Sequence, residues 1–440
     1  MEGPKGFSLL LLVSLGVMLM IVAGAEDVEG ATITVPDDHP TIQEAIDNAI
    51  DYDTLFIKDG LYIESVIVYR PLTLIGESRA GTVIESNDPF AVLIVANRAS
   101  LSSVTVQGTS VGAGLILQAS NCVIEDVTVR DCLWGLWINR AYHNVVRNVQ
   151  CLNNSWQGVL VEEADETLLQ DVTCKDNNEG INIRAAVDTT LEDCTMTENR
   201  LHGLLVQRLA GFYETEDVTV LNCVISNNSG NGGDFSNTDG VTVEGCVIED
   251  NAWSGIRFDR CNDVVVRGCQ VRNYVRLGIA FQGDGSTSGC LIEDNIVDDT
   301  DTSWSDIIVH AAKDCVIRNN SVRCSSAAIS VLMANDTLVS DNQLVSTNDN
   351  ASIETVGMII GRHRAGVLLP PTNVTLLRNE VSGFSEGIRV RGGWDIDIID
   401  CTVMDADVGV AFSVFDYGDD PIVGGTVKGC TFDGCGLVIE

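Results

Sequence analysis

Lysine is almost missing from this chain. It occurs five times in 440 residues, and 26 basic groups in all stand against 63 acidic ones, a formal net charge of −37. Such a surface repels phosphate backbones, which excludes nucleic acid as a partner. Anionic membrane surfaces repel it in turn. Histidine is as scarce: His39, His143, His202, His310 and His363 are nowhere paired at ligand spacing. No Cys-x-x-Cys pair exists, so zinc has no ligand set. After Val22 no apolar run approaches membrane-spanning length.

What is present is a repeat. Gly135-Leu136-Trp137-Ile138 is followed by Gly158-Val159-Leu160-Val161, Gly180-Ile181-Asn182-Ile183 and Gly203-Leu204-Leu205-Val206. The pattern goes on through Gly232, Gly255-Ile256-Arg257-Phe258 and Gly278-Ile279-Ala280-Phe281, at glycine steps of 23, 22, 23, 29, 23 and 23. Asp131, Asn154, Asp176, Asn199, Asn228 and Asn251 precede these glycines by four residues. The same register extends upstream to Gly114 and Ala91. Downstream it continues through Asp306, Ala328, Gly366, Gly387, Gly409 and Gly436, fifteen registers in all. A short fixed period means stacked repeats, and a stacked repeat grows without a central core, so length does not set the domain count.

Each coil divides into three extended segments with period-2 alternation, as in Gly158–Val161, Thr167–Asp171 and Val172–Cys174. Asp126, Asn148, Asp171, Asp193 and Asn222, then Gly245 and Gly268, recur between the second and third segments. All three residue types tolerate left-handed backbone, which marks a corner. Three strands and three corners in about 23 residues describe one turn of a parallel β-helix, right-handed by the usual rule for parallel connections. The expected fold is therefore all-β, a single right-handed parallel β-helix of about fifteen coils, about 70 Å long at about 4.8 Å per coil.

Fifteen cysteines in such a chain would ordinarily suggest disulfides. Yet Cys194, Cys223, Cys246 and Cys269 share one place in the repeat, which Val127, Val149 and Val172 fill in earlier coils. They read as free, buried substitutes for valine. Cys430 and Cys435 are the better candidates for a bridge.

The N-terminal part differs. Lys5, the apolar run Phe7–Val22 and Ala23-Gly24-Ala25 read as an export signal over residues 1–25, with an uncleaved anchor as the alternative. Either places the remainder outside the cytoplasm, secreted or at the cell surface. Residues 32–88 form an opening module: Thr41 with Glu44 makes a capping box, and Ile42, Ala45, Ile46 and Ala49 give a helix one apolar face, fit to cover the end of the stack. The repeats occupy 89–440.

The stretch Thr41-Ile42-Gln43-Glu44-Ala45-Ile46, through Asp59-Gly60-Leu61-Tyr62-Ile63-Glu64 to Leu72-Thr73-Leu74-Ile75-Gly76, resembles the start of pectin lyase-like β-helices. The repeats resemble those of the NosD-like and carbohydrate-binding/sugar-hydrolase β-helix groups. The resemblance covers residues 32–440 and implies the fold, while these families host lyases, hydrolases, epimerases, esterases and non-enzymes. Copper, which a NosD-like protein would imply, finds no paired histidines here.

Beside that resemblance the chain's candidate catalytic motifs are incomplete. Polygalacturonase-like enzymes carry Asn-Thr-Asp-Gly, a paired aspartate one coil later, Gly-His-Gly and Arg-Ile-Lys. This chain has Asn237-Thr238-Asp239-Gly240, but one coil later reads Arg260-Cys261-Asn262-Asp263, and the rest is missing. Inverting hydrolysis needs two carboxylic groups across the bond, so the motif reads as a corner turn. Tyr52-Asp53-Thr54-Leu55 lacks the glutamine of pectin esterases and lies in the opening module. No cofactor is implied. Asp298, Asp299 and Asp301, with Asp306 nearby, form a weak Ca²⁺ candidate loop; an ordinary acidic loop explains them as well.

The outward positions of the glycine-led strand are more suggestive. Two residues after the glycine come Trp137, Leu160, Asn182, Leu205, Asp234, Arg257, Ala280 and Arg389, and Trp156 and Trp253 precede their glycines by two. Aromatic rings stack on sugar faces and arginine pairs with uronates, against the alternative that these rings only fill corners. The insertion Ser346–Ala365 carries Arg362-His363-Arg364, a basic cluster for an acidic polymer or for Glu354. The carbohydrate-contact candidates are thus Trp137, Trp156, Trp253, Arg257, Arg362 and His363. The expected function is non-catalytic binding of polysaccharide or cell-envelope glycan, or service in an envelope layer. The alternative is a lyase, hydrolase or epimerase on an acidic polysaccharide. The last strand, from Gly436, would offer open edges to a second copy, to the loop Asp416–Pro421 or to a following segment. Weak end-to-end self-association through Val438 is the expectation among these.

Overall fold

One coil shows how the sequence makes the structure, a computed structural model. Residues 157–162 extend, with Val159 and Val161 turned inward and fully buried. Glu163 and Glu166 take left-handed φ of 51° and 52° and turn the chain. Leu168–Lys175 extends again and bends at Asp171 (φ 52°), which places Leu169 and Val172 inward from both sides of the bend. Asp176 (φ 60°) returns the chain to the next glycine-led strand, Glu179–Arg184. The corners expected at Asp126, Asn148, Asp171, Asp193, Asn222, Gly245 and Gly268 are all left-handed, with φ from 51° to 66°.

The coils stack as parallel strands in register: Val159 pairs with Leu136 on one side and Ile181 on the other. The glycine-led strands build one sixteen-stranded parallel sheet, and the remaining strands wrap round as a 31-stranded sheet. The structure describes residues 30–439 except 109, 210–213, 300–303, 349–353, 362–369 and 413–421. The export segment, Asp301, Arg362, His363 and the loop Asp416–Pro421 lie outside the described residues. Among those described, no helix is long and apolar enough to cross a membrane.

Two registers differ from expectation. The sheet has a strand before Ala91: Val66–Val68, inside the opening module, pairs with Val92–Ile94. And the coil after Ala328 is led by Gly357, not Gly366. Val356–Gly361 pairs Met358 with Ile329 and Ile388, so the stretch 346–365 contains a full strand. Gly357-Met358-Ile359-Ile360 and Gly366-Val367-Leu368-Leu369 have the same pattern, and hydrophobicity alone cannot choose between them.

The glycines are needed for close approach rather than for turning. A Cβ on Gly135 would lie 2.3 Å from Gly158 O, and one on Gly180 would lie 2.4 Å from Gly203 O. The helix Ile42–Asn48 covers the N-terminal end as expected, with Ile42, Ala45 and Ile46 buried and Thr41 Oγ1 accepting from Glu44 N–H. The capping box is only half formed. It is Glu64, from the first coil, that accepts from Ile42 and Gln43 N–H at 3.0 and 2.9 Å. Gln43 Oε1 in turn accepts from Ile67 N–H at 2.7 Å, closing an edge of the first strand.

The inner corners carry side-chain ladders. Asn154, Asn177, Asn199, Asn228 and Asn251 stack in one, each Oδ1 accepting the backbone N–H of the coil before. Asp131 and Asp176 are not members; they are the left-handed residues (φ 57° and 60°) just before Cys132 and Asn177. In the second ladder Val127, Val149 and Val172 give way to Cys194, Cys223, Cys246 and Cys269, then to Asn295, Asn320, Asn342 and Asn379, then to Cys401 and Cys430. Cysteine here is more than a valine substitute: Cys194 Sγ donates to Leu169 O, as Asn295 Nδ2 donates to Val266 O in the matching register. All fifteen cysteines are free. Cys430 and Cys435 do not bridge, because they sit in two different corner ladders and each donates to its own carbonyl, Ile398 O and Val403 O.

Candidate functional site: a tryptophan-rimmed face

The outer side of the glycine-led sheet has a floor and two rims. The floor is set by strand registry. Trp137, Leu160, Asn182, Leu205, Asp234, Arg257 and Ala280 pair in succession, one column as the sequence implied. Flanking columns contribute Gln157 and Glu179 on one side and Asn139, Glu162, Arg184 and Asp259 on the other.

The near rim is the corner that precedes each strand. Backbone hydrogen bonds run along it from Trp156 to Asn178, Leu201, Gly230, Trp253, Arg276 and Trp304. Its apolar members stay in solvent: Trp156 is 52% exposed, Trp253 45% and Trp304 76%, with Leu201 and Val275 also exposed. Trp134 lies 5.9 Å from Trp137 and 6.3 Å from Trp156, ring centre to ring centre. His202 meets the Trp253 ring edge-on at 6.2 Å, and the Arg276 guanidinium lies 5.3 Å over it. Five of the six tryptophans therefore line this face, Trp394 being the exception, and three of the five, Trp156, Trp253 and Trp304, are exposed.

The floor's polar groups are bonded to one another. Glu162 accepts from Trp137 Nε1 (3.1 Å), Asn139 Nδ2 (3.3 Å) and Arg184 Nε (2.8 Å). Glu179 Oε2 accepts from Gln157 Nε2 at 2.7 Å and Asn182 Nδ2 at 2.8 Å. Asn231 Nδ2 donates to Asp234 Oδ2 at 2.7 Å. Arg257 is 3.7 Å from Asp234, 3.5 Å from Asp259 and 3.0 Å from Gln282. The guanidinium of Arg257, expected from the sequence to face a uronate, lies between these two carboxylates. Arg389, in the same column, is likewise bound to Glu354 and Glu386, and burial together with Arg391 brings its pKa down to about 10.

On the far rim Arg208, Asn237 and Arg260 stand in successive coils beside a cleft of about 200 Å³ that also meets Glu214, Glu216 and Asp239. A hydrogen bond with Glu214 pushes the Glu216 carboxyl above its ordinary range. Asn237 and Gly240 are left-handed, φ 53° and 68°, so the Asn-Thr-Asp-Gly motif is a corner turn as read, though one that edges the cleft. Asp53 is structural, accepting from Ala31 and Ile50 N–H.

The Ca²⁺ candidates face different ways: Asp298 turns outward toward Arg323 at 4.0 Å, whereas Asp299 is buried at an inner corner. Trp137, Trp156 and Arg257 share the face with Trp253. Trp156 and Trp253 are four coils apart, about 19 Å. Sequence reasoning missed Trp134, Glu162, Glu179, Arg184, Asn231 and Trp304. Reading the two flanking columns beside the glycine-led one would have found the polar ones.

A family model described as right handed beta helix region matches residues 90–232 and 190–312, together just over half of the chain. No curated protein matches. Among solved structures, the A-module of the Azotobacter vinelandii mannuronan C-5 epimerase AlgE4 is 14% identical, with 91% of this chain and 92% of that one covered at a TM-score of 0.50. The A-module of AlgE6 from the same organism is 17% identical, covering 89% and 94%, at 0.47. The Dettilon tailspike protein gp208 is 11% identical, covering 78% and 66%, at 0.45. Likeness at this identity is likeness of fold, and by the family match this chain belongs to the right-handed β-helix family.

Proposed function

We propose that the protein binds a polysaccharide lengthwise along the glycine-led face, outside the cytoplasm, without turning it over. The observation that carries this reading is the exposed rim of Trp156, Trp253 and Trp304 beside a floor on which polar side chains such as Glu162, Arg184 and Arg257 stand among apolar ones such as Leu160 and Leu205. Rings take the apolar faces of sugars and the polar floor takes their hydroxyls. The epimerase modules named above act on mannuronan, which agrees with a glycan ligand. The export signal read from Lys5 to Ala25 agrees with the location. A native gel containing soluble polysaccharide tests the proposal: the protein should be retarded, and Trp156→Ala with Trp253→Ala should migrate freely with unchanged melting temperature. Equal retardation of both proteins contradicts it.

One observation favours a catalytic reading, that of a lyase, hydrolase or epimerase on an acidic polysaccharide. The far-rim cleft joins two arginines to the hydrogen-bonded carboxyls Glu214 and Glu216. Turnover of a uronate polymer that Glu216→Gln abolishes would establish it.

A further inference from the structure

The near rim repeats with a period of two coils. Trp156, Leu201, Trp253 and Trp304 stand on every second coil, and all four reach solvent, by 52%, 40%, 45% and 76%. Asn178, Gly230 and Arg276 stand on the coils between them. Every member of this column holds one place in the repeat, two residues before the glycine-led position. Each one after Trp156 donates its backbone N–H to the carbonyl of the member before, at 2.7–3.1 Å. The column therefore runs along the rod, and successive apolar members lie about 10 Å apart. Trp253 is also held in place, with the Arg276 guanidinium over its ring and His202 against its edge.

We infer that the rim reads the backbone geometry of its glycan, taking an extended chain of equatorially linked β-1,4 pyranoses at one sugar per coil. The inference rests on the binding proposed above and names its ligand class. In such a chain each sugar is turned over relative to the last, so its repeat is a disaccharide and alternate sugars present the same face on the same side. The apolar face of every second sugar then meets Trp156, Leu201, Trp253 or Trp304. The sugars between turn their edges toward Asn178, Gly230 and Arg276. A chain linked through axial or 1,3 bonds winds away from a straight rim and cannot keep this register. Charge is secondary, since Arg276 is the one charged member of the column. The net charge of −37 weakens any polyanion, but by a long-range repulsion that salt screens.

Titration calorimetry of the full chain tests this with two pairs of polymers matched in charge. Glucomannan and laminarin are neutral, the first β-1,4-linked and extended, the second β-1,3-linked and winding. Polymannuronate and polygalacturonate each carry one carboxylate per sugar, the first linked equatorially, the second axially. In 1 M NaCl, which screens charge beyond about 3 Å, the extended member of each pair should bind at least about tenfold more tightly than the winding one. Two variants separate the register from the mere presence of rings. Leu201→Trp supplies the ring missing from the alternating series and should tighten glucomannan binding about three- to tenfold. Asn178→Trp places an equal ring on an intervening coil and should not tighten it. A winding polymer bound as tightly as its extended partner, in either pair, overturns the inference while leaving the binding proposal intact. So does an Asn178→Trp protein that gains as much as Leu201→Trp, or a Leu201→Trp protein with the parent's melting temperature that gains nothing. Failure of the parent protein to bind any of the four polymers overturns the binding proposal itself.

Discussion

The Cys269 N–H donates to Asn295 Oδ1 at 2.9 Å, and these two residues hold the same inner corner of successive coils, each just after a left-handed residue, Gly268 or Asp294. The ladder changes chemistry at this step, from thiol to amide, without changing register. Its thiol and amide segments should therefore differ in what they contribute. Asn320 Oδ1 accepts from the backbone and side-chain N–H groups of Asn295, and its Nδ2 donates to Ile292 O, each at 3.0 Å. Asn320→Val would strand those buried groups and should cost more than about 3 kcal/mol in urea unfolding. Cys246→Val loses only weak sulfur contacts and should cost less than about 1.5 kcal/mol. Equal costs would contradict the ladder account.

The thiols should be inert in the native protein. Cys246 is pushed up to about 12 by the hydrogen bond with Cys223 and by burial, and Cys261 to about 12 chiefly by burial. The thiolate is the reactive form. A disulfide-exchange reagent at pH 8 should therefore find at most Cys430 and Cys435, which are only partly buried, until denaturant releases the others. A native Cys223–Cys246 bridge in mass spectra would refute this.

Glu293 should set part of the acid limit. Burial opposes its charge, but Arg318 and Arg267 win and hold its carboxyl below the ordinary value of 4.5. A depressed folded pKa gives stability that is present above the unfolded value and is lost as pH falls through the folded one. Glu293→Gln should lower stability at pH 7 by about 1–3 kcal/mol and flatten its decline below pH 4.5. An unchanged acid profile in that variant would assign the acid limit to other groups.

The sequence carried the fold well because the repeat is written in residues with one physical job. Glycine stands where the next coil's carbonyl approaches, and Asp, Asn or Gly stands where φ turns positive. Pattern failed where two segments satisfied it equally, as at Gly357 and Gly366. It also failed where a residue type hid its role: Cys194 looks like valine until the carbonyl it donates to is seen. Of the site, the central column and the exposed rings of Trp156 and Trp253 were legible. The engagement of Arg257 was not, since Asp234 and Gln282 lie 23 and 25 positions away and only coil registry brings them together.

Five tryptophans on one face give the binding proposal its most direct reading through intrinsic fluorescence. Titrating glucomannan into the protein should shift and quench the emission. Trp394→Phe should keep the whole response, and Trp156→Ala with Trp253→Ala should lose most of it. No change in the parent protein with the neutral and uronate polymers alike, or a response that survives loss of both rim tryptophans, would contradict the account.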